Sequence, residues 1–149
     1  MQRWGWTYLV GLALLAIAAG TQAATFTVDS TGEEPDLNIG AGADGICDTG
    51  EGCTLRAALF EASFDTSPTI VTSLPAGSVI ALDAPLDVAG ADLLLDVPLV
   101  LRGPPQGSVL DVTGTFVSLG GMTLQGNGVD PSLVAVGADG LYLQDLSIN

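Results

Sequence analysis

PLVLRG at 98–103, GMTLQG at 121–126 and DLSIN at 145–149 are three versions of one segment. Val117, Leu119, Met122 and Leu124 map onto Leu141, Leu143, Leu146 and Ile148 at a spacing of 24 positions. One step back, Leu94, Leu99 and Leu101 map onto Val117, Met122 and Leu124 at a spacing of 23. Self-similarity of this period, carried by short apolar runs with no helical stretch between them, predicts an all-β chain coiled as a parallel β-solenoid. Each turn of such a coil stacks on the next and buries a shared apolar column.

The same grammar extends outward. From Ser78, apolar runs alternate with Gly, Asp and Pro: VIAL (79–82), LLLDV (93–97), SVLDV (108–112), FVSL (116–119), LVAV (133–136) and LYLQDLSIN (141–149). They are too short for helices and carry strong turn signals between them. A leucine-rich repeat has a similar period but needs an LxxLxLxxN frame throughout, which only LQDLSIN (143–149) approximates. From Ser78 to Asn149 there are 72 residues, about three turns at this period. The run stops after an apolar segment with no capping element, so a truncated piece of a longer protein is expected.

Upstream the pattern changes. ATFTVDS (24–30) sets Phe26 and Val28 against Thr25, Thr27 and Asp29 and predicts a short strand. Residues 31–52 form a loop rich in Gly, Asp and Glu. TLRAALFEAS (54–63) predicts a short helix, with Thr54 as N-cap and Leu55, Ala58, Leu59 and Ala62 as its apolar stripe. A solenoid exposes core and strand edges at its ends, so residues 24–77 are expected to cap it and 78–149 to form the rungs. Cys47 and Cys53, the two cysteines, lie six apart in CDTGEGC. In an oxidising compartment they predict a local disulfide; the alternatives are free thiols or a metal pair, and the latter would need ligands that no His or third Cys supplies.

Residues 1–23, MQRWGWTYLVGLALLAIAAGTQA, read as a secretory leader: Arg3 is positive, Tyr8–Ala19 is apolar, and Thr21-Gln22-Ala23 ends in small residues. The apolar run is too short to span a bilayer, so no membrane insertion of the mature chain is expected. The whole chain has 149 residues, 17 acids, three basic residues and no His, for a formal charge of −14. Losing the leader removes Arg3 and no acid, which leaves 126 residues at −15. Such a surface cannot track phosphates, so nucleic acid is excluded as a partner. Without His, a Ser-His-Asp triad, a His zinc site and a His general base are impossible within this chain.

The stretch TFTVDSTGEEPDLNIGAGADGICDTGEGCTLRAALFEAS (25–63) resembles the N-terminal motif of the CSLREA-domain family of exported bacterial proteins. Here the motif stands as Cys53-Thr54-Leu55-Arg56-Ala57-Ala58, with Thr54 for Ser and Ala57 for Glu. Thr54 keeps the capping hydroxyl; Ala57 does not keep the charge. LRGPPQGSVLDVTG (101–114) is similar to the family's first rungs. The resemblance implies a right-handed parallel β-helix with an N-terminal cap, and an exported protein that is secreted, periplasmic or at the cell surface. It implies little about activity.

The residues suit three chemistries. Asp36, Asn38, Asp44, Asp48 and Glu51 place hard oxygens in a Gly-rich loop and suit calcium, although the EF-hand frame is broken by Gly40; the plain alternative is a solvated acidic loop with no cofactor. Asp83, Asp87, Asp92 and Asp96 are candidate carboxylates for a polysaccharide-active lyase or glycosidase, but they read as turn residues. Two mature arginines and a charge of −15 also match a polyanionic substrate poorly. The third reading is a non-catalytic, adhesin-like scaffold presenting a flat face to a surface glycan or protein ligand. It is the expectation preferred, with Thr54, Leu55, Arg56 and Leu59 holding the cap, Arg56 through an ion pair with a nearby acid, and any active site lying further along a longer chain.

Overall fold

The computed structural model describes residues 23–39, 42–126, 134–137 and 139–149; side chains at 134–136 are not among them. The expected leader through Gln22, Gly40 and Leu133 lie outside the described residues.

The described chain is mostly strand, with one short helix. The elements are β1 (Thr25–Val28), α1 (Leu55–Ala62), β2 (Thr69–Thr72), β3 (Val79–Ala81), β4 (Leu86–Val88), β5 (Leu94–Asp96) and β6 (Val100–Arg102). There follow β7 (Leu110–Val112), β8 (Val117–Gly120), β9 (Thr123–Gln125), β10 (Val134–Val136), β11 (Leu141–Gln144) and β12 (Ser147–Ile148). All named pairings are parallel and make three sheets, ordered β1-β2-β5-β8-β11, β10-β7-β4 and β12-β9-β6-β3. From β2 onward the chain visits the sheets in a fixed cycle, and from β5 each strand pairs with the strand three places earlier. Parallel neighbours require a long return path, which the other two strands of each cycle provide.

Register follows the period. Leu119↔Leu143 and Leu124↔Ile148 pair at the spacing of 24 read from the repeat, and Leu101↔Leu124 at 23. One correspondence is corrected: Leu94 pairs with Ser118, not Val117, and Leu95 with Leu119. The corner after β5 holds one residue more than the corner after β8. Leu99 N–H donates to the Val97 carbonyl at 2.8 Å across Pro98, an i→i+2 turn that Pro's fixed φ suits. The later corner instead turns on Gly121 at φ +70°. Leu95 is therefore buried while Leu94 is 42% exposed.

Strands this short bury few residues apiece, so the core is a set of columns. Ile70, Leu95 and Leu119 form one, Ile80, Leu101 and Leu124 another, and Leu86 with Leu110 a third, all fully buried. Each such side chain contributes roughly 1.5–3 kcal/mol through burial. Two strands escape the sequence reading, β2 and β4, and LYLQDLSIN splits between two sheets as β11 and β12. β2 already carries β5, so the stack begins before Ser78.

At one end α1 packs on β1, β2 and β4. Its Leu55, Ala58, Leu59 and Ala62 are buried. At the other end the columns are open: Leu143 is 52% and Ile148 56% exposed, above Leu119 and Leu124 at 0%.

Candidate functional site: the cleft between the helix and β4

Thr54 anchors one wall. Its hydroxyl accepts from Ala57 N–H at 3.1 Å and donates to the Glu34 carbonyl at 2.7 Å, so one buried group caps α1 and holds the preceding loop. Cys47 and Cys53 are joined as a disulfide. Arg56, one residue into the helix, reaches across to β4's approach. It donates to the Pro85 and Ala84 carbonyls at 3.0 and 2.9 Å and pairs with Glu33 at 2.5 Å. The helix is thereby tied to both the acidic loop and the strand below it.

Between these elements lies a cavity of about 220 Å³. Pro35, Ile39, Leu59, Phe60 and Leu86 give it apolar walls, and Asp36, Arg56 and Asp87 supply its charges. Asp36 is buried; its Oδ1 accepts from Asn38 N–H at 2.8 Å and its Oδ2 from Asp48 N–H at 3.0 Å. Asp87 is exposed at the middle of β4, which corrects its reading as a turn residue. It pairs in register with Asp111 of β7, also exposed. Strand neighbours lie about 4.8 Å apart, so two carboxylates stand side by side on one face. Thr113 Oγ donates to Asp87 Oδ1 at 3.3 Å. Asp111 was not singled out from sequence, yet the triplet Leu-Asp-Val recurs at 86–88 and 110–112 at the repeat's own spacing.

The expected calcium set is partly gathered. Asp36, Asn38, Asp44 and Asp48 share one loop network, in which Asn38 Nδ2 donates to Asp44 Oδ2 at 2.7 Å. Their remaining bonds run to backbone amides of residues 38, 46, 48 and 50. None of these bonds involves Glu51, which is exposed. Among the described residues no group of three or more His, Cys, Asp or Glu is arranged to hold a metal ion. Glu61, unremarked in the sequence, is buried beneath this loop: Oε2 accepts from Gly45 N–H at 2.7 Å and Oε1 has no partner among the described residues. Burial pushes its carboxyl above the usual value, and the charges of Asp36 and Asp44 add to that.

Of the other candidates, Asp83 and Asp92 are exposed at corners; Arg102, the second arginine of residues 24–149, is exposed at the end of β6. Asp96 and Asp145 line a groove of about 120 Å³ together with Gly120 and Gly121. Among the described residues no helix is long and apolar enough to cross a membrane. No protein-family model matches the chain, and no curated protein or solved structure matches it.

Proposed function

We propose that the chain is the N-terminal cap and first rungs of a right-handed parallel β-helix, belonging to an exported, CSLREA-like scaffold with a binding rather than a catalytic role. One observation carries this reading. The apolar columns run through successive cycles of the three sheets, closed at one end by α1 and open at the other. A helix lying over one end of columns that run through successive cycles of three parallel sheets is what the cap of a solenoid requires. The disulfide accords with an oxidising compartment, and export itself rests on the leader-like sequence 1–23. The scaffold's partner is a surface glycan or a protein ligand. The acidic loop acts as a structural strap for the cap, and calcium is a ligand to be tested there rather than a requirement.

The test is the intact mass of the native product recovered from envelope and medium. A species larger than this chain, containing its peptides and beginning at Ala24, supports cap, rungs and export together. A product that keeps Met1–Ala23 and stays in the cell sinks the export reading. A second reading, a polysaccharide-active enzyme, draws on the Asp96–Asp145 groove, because glycosidases flank the scissile bond with two carboxylates. Sugar release from a polysaccharide panel that disappears in Asp96→Asn would favour it over the scaffold.

A further inference from the structure

We propose that the α1–β4 cleft receives an arginine or lysine side chain of a partner peptide, with an apolar residue beside it. Three features converge on that chemistry. The cavity, about 220 Å³, has the scale of one long side chain rather than of a drug-sized ligand. Its walls at Ile39, Phe60 and Leu86 are apolar, which suits the methylene stem of a basic residue. Its charges are unbalanced. The one cation lining it, Arg56, already bonds Glu33 and two carbonyls, while Asp36 and Asp87 face no other lining cation.

The neighbouring cycle adds to the imbalance. Asp111 stands in register beside Asp87, and like charges directly opposed on a sheet repel. A cationic head placed at Asp87 relieves that repulsion and leaves its stem in the cleft. Phe60, which packs edge-to-face with Phe64 at 5.3 Å between ring centroids, lines the same wall. With 17 acids against three basic residues, the whole chain also steers basic partners toward it and disfavours a second copy of itself or an acidic glycan. The inference stands on the cleft's own residues and does not depend on further rungs or on export.

The experiment titrates the nitrogen-15-labelled purified chain with acetyl-Leu-Arg-Leu-amide, with norleucine and Glu replacing Arg in two control peptides. Saturable shifts are expected at the amides of Phe60, Ser63, Asp87 and Ala89 with the Arg peptide alone. Asp87→Asn is expected to weaken binding about three- to fivefold, the upper range for an exposed ion pair, and Asp111→Asn to weaken it less. Both residues are exposed, and an unchanged melting curve confirms that each variant folds. Phe60→Ala tests the apolar wall separately. Shifts elsewhere, equal binding of the norleucine peptide, or unchanged affinity in Asp87→Asn overturns the proposal. A glucosamine oligomer that moves the same amides as tightly as the Arg peptide also overturns it, because that ligand lacks the apolar stem.

Discussion

Gly114 shows how little room the repeat leaves at its corners. A Cβ there would lie 2.5 Å from the Gly90 carbonyl oxygen and 3.0 Å from the Gly90 nitrogen. Both obstacles are backbone, so they cannot swing aside. Gly114→Ala is expected to destabilise the chain by about 2 kcal/mol or more, read as a drop in urea midpoint. Glu61 makes a different demand. Its folded-state pKa lies above the ordinary 4.5, so the folded chain holds that proton more tightly than the unfolded chain does. The resulting stabilisation is complete below the ordinary value and is lost as pH rises through the raised folded value. Above it, a charge sits buried with Oε1 unpaired. Glu61→Gln keeps an oxygen for Gly45 N–H and removes the charge. It is expected to raise stability near neutral pH and to flatten this part of the pH profile, measured by urea unfolding from the ordinary carboxylate value up to neutral pH. An unchanged profile would mean that the carboxylate is relaxed by water.

At the scale of elements, α1 is too short to persist on propensity and depends on its cap and its packing. Thr54→Ala removes the acceptor for Ala57 N–H and the donor to the Glu34 carbonyl in one change. The expected loss is about 1–2 kcal/mol, at the upper end for an N-cap, whereas Thr54→Ser recovers most of it. Reduction of Cys47–Cys53 releases a short loop and lowers stability by about 2 kcal/mol in the chain-entropy account. Both losses, measured by thermal melts, fall on the cleft as well, because the same loop carries Asp36 and Ile39. The helix, its cap residue and its buried stripe were legible because they repeat at helical spacing. β2 and β4 were not. Ile70 is the one buried residue of β2, set among threonines in a segment rich in turn formers, so no period announces it. β4 has the sequence Leu-Asp-Val, and an Asp between breaker-rich stretches reads as a turn until its partner 24 residues on is noticed. The site was obscured for the same reason. Asp87 and Asp111 become neighbours through sheet register, a relation between distant residues that local pattern does not display. Leu94 misaligned because a Pro98 corner adds one residue, and a single insertion changes which face a strand residue points to.

For the whole molecule, the contrast between neighbouring cycles is the sharpest consequence of the open stack. Leu119 and Leu143 occupy one column and Leu124 and Ile148 another, one cycle apart. The first member of each pair is fully buried and the second more than half exposed. Identical chemistry in identical backbone settings should therefore give very different energies. Leu119→Ala is expected to destabilise by about 2–5 kcal/mol, since it leaves a cavity between two packed layers. Leu143→Ala should stay within about 1 kcal/mol, since solvent already reaches the side chain. A hydrophobic dye and sedimentation velocity supply the second half of the test. Leu143→Ser and Ile148→Ser together should reduce dye binding and self-association of residues 24–149 without lowering their melting temperature. If Leu143→Ala proved as damaging as Leu119→Ala, the last cycle would be packed against something. If it proves mild, the side chain is as open to solvent as its exposure indicates. Appending a further cycle of the same pattern should then make Leu143 as costly to truncate as Leu119.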